Sequence, residues 1–135
     1  MRNKQNGSCL CGKVKFEING NFESFYLCHC KYCQKDTGSA HAANLFSTTA
    51  ELIWLSGKEH TQTFNLPSTR HAKSFCKECG SAVPSLQMEG KLLAVPAGSL
   101  DHELDLKPSA HIFYSSKSSW ENDLEKIKKF EKYPE

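Results

Sequence analysis

Gly7-Ser8-Cys9-Leu10-Cys11-Gly12-Lys13-Val14-Lys15-Phe16-Glu17-Ile18 sets a pair of cysteines directly before an alternating run. Val14, Phe16 and Ile18 alternate with Lys13, Lys15 and Glu17, the period of a strand with one buried face, and Asn19-Gly20-Asn21 ends it. Cys9 and Cys11, with a glycine behind them, offer thiolates to a metal at the head of that strand. A matching pair stands far downstream in Cys76-Lys77-Glu78-Cys79-Gly80, a zinc-knuckle spacing. The two intervening residues let the chain turn around one ion, and Gly80 accepts the positive φ that such a turn uses. A strand period beside a metal staple decides the reading of the fold.

Outward from that stretch the pattern stays rich in strand. Further strands are predicted at 42–46, 52–55, 61–66, 72–75, 92–96 and 111–114, punctuated by Ser56-Gly57-Lys58, Pro67-Ser68, Glu89-Gly90-Lys91 and Gly98-Ser99. Helix is scarce: one short turn after Cys30, and a C-terminal segment capped by Ser118 or Ser119 that reaches Glu125-Lys126. The expected class is mainly β, an antiparallel sandwich or barrel-like fold with little helix, in one domain over 1–135.

Composition narrows the function. A formal charge of +2 argues against a nucleic-acid partner. No apolar run approaches the roughly 18–20 residues that span a bilayer, so no membrane partner is expected. Met1-Arg2-Asn3-Lys4-Gln5-Asn6 is polar and lacks the apolar centre of a secretory signal, which points to the cytoplasm. There thiols stay reduced, and clustered cysteines are read as metal ligands rather than as disulfides. Arg2, Lys4, Lys13, Lys15, Lys31 and Lys35 outnumber Glu17 and Glu23 in the first 35 residues, an excess that offsets nearby thiolates. The C-terminal run from Lys117 balances lysines against acids, the mark of a solvated face.

The cysteines number seven, in three groups, with Cys28-His29-Cys30-Lys31-Tyr32-Cys33 between the two pairs. Two tetrahedral thiolate sites need eight sulfurs, so one position is left to something else. By spacing, Cys9, Cys11, Cys76 and Cys79 make a closed site, while Cys28, Cys30 and Cys33 surround one face of a second ion. Other pairings in space stay open, as does a closed Cys28/Cys30/Cys33 site with a fourth protein ligand. That fourth ligand is a water, an external thiol or a histidine, with His41 and His71 as candidates. His29 lies between two ligands and points away from them, and His60, His102 and His111 are scattered. A redox role for Cys30-x-x-Cys33 lacks the surrounding βαβ pattern. There is no G-x-S-x-G, Walker loop or G-x-G-x-x-G. An enzyme built on this chain would therefore work through its metal.

Taken together, Gly7-Ser8-Cys9-Leu10-Cys11-Gly12, Cys28-His29-Cys30-Lys31-Tyr32-Cys33-Gln34, Thr37-Gly38-Ser39 and Phe75-Cys76-Lys77-Glu78-Cys79-Gly80-Ser81 resemble the glutathione-dependent formaldehyde-activating enzyme family, which shares its domain with centromere protein V. Ala97-Gly98-Ser99-Leu100-Asp101, Lys107-Pro108, His111-Ile112-Phe113 and Lys117 with Trp120 extend the resemblance in order. It implies an Mss4-like fold of packed antiparallel sheets stapled by zinc. It also implies two zinc ions, a structural one on Cys9, Cys11, Cys76 and Cys79 and a second, reactive one on Cys28, Cys30 and Cys33. The implied reaction is that of a carbon–sulfur lyase run in reverse, adding the glutathione thiol to formaldehyde to give S-hydroxymethylglutathione. The small-molecule partners would then be a thiol, with glutathione as co-substrate, and an aldehyde. The alternatives are a non-catalytic zinc module for thiol binding or protein interaction, and an enzyme acting on another thiol or aldehyde. The chain departs from the family at Leu124-Glu125-Lys126-Ile127-Lys128-Lys129-Phe130, where an acidic, proline-containing segment is usual.

Overall fold

The computed structural model describes residues 3–134; Met1, Arg2 and Glu135, and with Arg2 one of the basic residues counted above, lie outside the described residues. In chain order come β1 (Lys4–Ser8), β2 (Lys15–Asn19), β3 (Ser24–Cys28), the helix α1 (Lys31–Thr37), β4 (Ala42–Ser47), β5 (Glu51–Ser56), β6 (Thr61–Asn65), β7 (Ala72–Cys76), β8 (Ser85–Gln87), β9 (Leu92–Pro96) and β10 (Ala110–Ile112). They form a three-stranded sheet in the order β1-β2-β5, a five-stranded sheet in the order β10-β3-β4-β9-β8, and the two-stranded β6-β7 hairpin. The mainly β class with little helix is as expected. The pairing is antiparallel throughout except at the edge strand β10, which runs parallel to β3.

The alternation read from the sequence is what joins the two larger sheets. Phe16 and Ile18 on β2 are fully buried and meet Phe25 of β3, Leu45 of β4, and Leu93 and Val95 of β9. Full burial of one such side chain contributes roughly 2 kcal/mol. Gly7 stands opposite Phe16 in the β1–β2 register, and a Cβ there would overlap the Phe16 ring and the Ser99 carbonyl. Its bare backbone lets β1 lie flat over the aromatic ring.

Three strands lacked a readable signal. β1 is Lys-Gln-Asn-Gly-Ser, with no apolar residue, and it is held by its ladder to β2. β3 is too short an apolar run to tell strand from helix, and β8 has only three residues. Two expectations at the C-terminal end are corrected. The strand expected over 111–114 stops at Ile112, because Phe113 adopts a left-handed φ of 51° and starts a 3₁₀ turn at Tyr114–Ser116. Among the described residues no continuous helix follows Ser118. Its hydroxyl donates to Gln34 Oε1 at 2.9 Å rather than capping, and Asp123 at a φ of 57° separates the 3₁₀ turns Ser119–Glu121 and Leu124–Lys126. Among the described residues, no helix is long and apolar enough to cross a membrane.

Candidate metal centres

Each of the two distant cysteine pairs folds into a tight turn closed by a glycine, the first over three residues and the second over four. After β1, the Gly12 amide donates to the Cys9 carbonyl at 3.1 Å and Gly12 takes a φ of 82°. After β7, the Gly80 amide donates to the Cys76 carbonyl at 2.7 Å and Gly80 takes a φ of 78°. Both glycines occupy the left-handed region that side chains resist. The turns are fastened to each other where the Leu10 amide donates to Ser81 Oγ at 3.0 Å and where Lys13 pairs with Glu78 at 2.8 Å.

This brings the sulfurs of Cys9, Cys11, Cys76 and Cys79 within 4.8 Å of one another. Cys9 and Cys11 sulfurs stand 3.5 Å apart, and those of Cys11 and Cys76 3.9 Å apart. Four sulfurs about 2.3 Å from a tetrahedral ion would be separated by about 3.8 Å, so the donor set fits such an ion without rearrangement. Cys9 and Cys76 are buried against Val14 and Val83, with Trp54 packed on this small cluster and also on the main core. Without a cation the thiols divide their charge unevenly. The Ser81 hydroxyl and amide, with the Cys11 amide, hold Cys79 down at about 5. Cys11 is pushed up to about 11: the Lys13 amide favours its thiolate, but desolvation and the neighbouring sulfurs outweigh it. A divalent cation removes that conflict by favouring the thiolate at every position.

Cys28, Cys30 and Cys33 also lie within 4.8 Å of one another. Cys28 ends β3, Cys30 is the N-cap of α1, and Cys33 sits in its first turn, where its amide donates to Cys30 Sγ at 3.3 Å. Gly38 closes the helix in the left-handed conformation, with its amide on the Gln34 carbonyl at 2.8 Å. Burial, then the neighbouring Cys28 and Cys30 sulfurs, pushes the Cys33 thiol far up. Burial also raises Cys28, while at Cys30 the Cys33 amide and the adjoining thiols outweigh burial and lower it. Three soft donors on one face again suit a thiophilic divalent ion.

Among the described residues no fourth His, Cys, Asp or Glu joins this group. His71 is engaged elsewhere, its Nε2 2.7 Å from Asp36 Oδ2. Lys73 adds a bond to the Asp36 carbonyl at 2.7 Å and an ion pair at 3.2 Å, so Asp36 of α1 moors the β6–β7 hairpin. His41 faces His29 and Glu121 rather than the thiols. The mooring leaves a cleft of about 150 Å³ beside Cys28 and Cys33, whose wall includes Asn44, Arg70, His71 and Gln87. Sequence reading named the seven thiols but missed Arg70, Asn44 and Gln87, which carry no local motif. It also missed the cluster in which His29 meets His41, His111 and Glu121, whose only sequence signal is a histidine flanked by two cysteines.

A family model described as "Glutathione-dependent formaldehyde-activating enzyme" matches residues 4–116. A protein of Halomonas elongata, provisionally named as a glutathione-dependent formaldehyde-activating enzyme, is 30% identical over 124 residues, covering 84% of this chain and 77% of its own. A crystal structure of a Rhodobacter sphaeroides protein superposes with a TM-score of 0.58 at 21% identity, over 78% of this chain and 98% of that one, and shares its fold.

Proposed function

Since the chain belongs to the glutathione-dependent formaldehyde-activating enzyme family, we propose that it adds the glutathione thiol to formaldehyde at the three-cysteine group. The observation that carries this reading is the pairing of three thiolate donors, without a fourth side-chain donor among the described residues, with a cleft reaching Cys28 and Cys33. Zinc would be held by Cys28, Cys30 and Cys33, where it supplies a Lewis acid and lowers the pKa of a bound thiol. A second zinc on Cys9, Cys11, Cys76 and Cys79 would be structural.

The residues of the chain do the positioning. Arg70 offers a cation to a substrate carboxylate, and Asn44 and Gln87 offer amides to a peptide group. Asp36 fixes the hairpin that carries Arg70 and His71. In the reaction a carbon–sulfur bond forms, the carbonyl π bond opens, and the thiol proton ends on the former carbonyl oxygen. No oxidant or reductant is needed. In the reverse direction it is a carbon–sulfur lyase.

The addition is already fast in water, so binding alone would imitate catalysis. Exchange NMR between formaldehyde and S-hydroxymethylglutathione separates the two. Catalytic zinc-loaded protein raises the exchange rate in proportion to its concentration, and Cys33→Ala abolishes the increase. Glutathione binding with no gain in exchange would make the chain a thiol-binding module instead.

A further inference from the structure

We propose that His29, His41 and Glu121 form a third metal site, of nitrogen and oxygen donors, separate from both thiol groups. One ligand atom from each lies within 4.8 Å of those of the other two. His29 Nδ1 is 3.0 Å from Glu121 Oε2, and His41 Nδ1 is 3.6 Å from Glu121 Oε1. Nitrogen and oxygen donors about 2.05 Å from a tetrahedral zinc are separated by about 3.3 Å. The two separations run to different oxygens of one carboxylate and lie on either side of that value, so each oxygen faces one imidazole.

Hydrogen bonding inside the protein satisfies only part of this cluster. His29 is fully buried and both its nitrogens have partners, Glu121 on one side and His111 Nδ1 at 2.8 Å on the other. His41 Nδ1 is buried without a hydrogen-bond partner. At 3.6 Å from the carboxylate it is too far to bond and too close to admit a water between. A cation shared by His29 Nδ1, His41 Nδ1 and a Glu121 oxygen satisfies the orphaned nitrogen.

The surroundings are those of a metal-ligating histidine. Such a residue presents one ring nitrogen to the ion and its other to an acceptor that fixes tautomer and orientation. His111 Nδ1 is that partner for His29 Nε2, and the Tyr114 ring stands edge-on to His29 with centroids 5.2 Å apart. Glu121 is held in a 3₁₀ turn, its side chain 10% exposed. His41, with 32% of its side chain exposed, gives an ion a way in from solvent. Two imidazoles and a carboxylate select a first-row divalent ion over calcium or magnesium. The site shares no donor with either thiol group, so it stands whether or not the aldehyde chemistry proposed above is correct.

Cobalt(II) added to the zinc-loaded full chain tests the assignment. One further equivalent should bind, with ligand-field absorption but no added sulfur-to-cobalt charge transfer. His41→Ala and Glu121→Gln should each weaken that equivalent more than tenfold while leaving zinc content and the thermal transition of the zinc-loaded protein in place. His41 is partly exposed and Glu121→Gln preserves shape, so at least one variant will fold. Absence of a further equivalent in the wild type, or one bound equally tightly by both variants, overturns the proposal.

Discussion

Cys79 and Cys33 are chemically the same side chain, and their surroundings separate them. Cys79 is half-buried, and its thiolate is favoured by the Ser81 hydroxyl and amide. Cys33 is buried, and burial together with two neighbouring sulfurs opposes its ionisation. Cys79 belongs to a group of thiols that joins β1 to β7 across 65 residues, as measured from Cys11 to Cys76. Cys33 belongs to one contained within β3 and α1. Metal binding is folding free energy where it closes a long loop. Cys79→Ala should therefore lose one zinc and lower Tm by roughly 10 °C or more. Cys33→Ala should lose the other zinc yet keep a cooperative transition, with only about 1 kcal/mol removed by the small cavity. Elemental analysis and calorimetry on the two variants check this. Equal unfolding by both would dissolve the distinction between a structural and a reactive group.

At the scale of elements, the turns hold the strands in register. Glu23, before β3, accepts from the Thr48 amide and hydroxyl, both at 2.7 Å, from the Ser47 hydroxyl at 3.0 Å and from the Thr49 hydroxyl at 3.2 Å. It thereby ties the β4–β5 turn to the entry of β3. The Thr48 hydroxyl and amide hold its carboxyl below the ordinary 4.5. A depressed carboxyl contributes stability that is full above its unfolded pKa and is lost as pH falls through the folded one. The wild type should lose Tm faster than Glu23→Gln below about pH 4.5, whereas above it the variant should be the less stable by a few degrees. Zinc dissociates from thiolates in both proteins as acid is added, so the difference between their melting curves isolates the carboxylate. Parallel curves at every pH would remove Glu23 from the account. The carboxylate is solvent-facing, and the effect should shrink with added salt.

For the whole molecule, β2 is where the layers meet. Phe16 packs against the opposite sheet, lies under Gly7 and contacts the Trp54 ring edge-on at 6.2 Å, which leads on to the four-thiol cluster. Phe16→Ala should reduce unfolding free energy by about 3–5 kcal/mol in urea on the zinc-loaded chain. A loss under about 1 kcal/mol would show that the sheets do not share this core. Local periodicity and cysteine spacing determined the β class, the strand over Lys15–Asn19 and the sorting of the thiols into two pairs and a trio. These are legible because an alternating face and a two-residue ligand gap are encoded within one strand or one turn. Polar β1 was silent because its stability comes from a neighbour's backbone. Only the tertiary structure decided which pairs of thiols meet, that Arg70, Asn44 and Gln87 border Cys28 and Cys33, and that Glu121 reaches His29 across 92 residues. Such meetings depend on how sheets and hairpins pack, a property of long-range contacts that no short stretch of sequence carries.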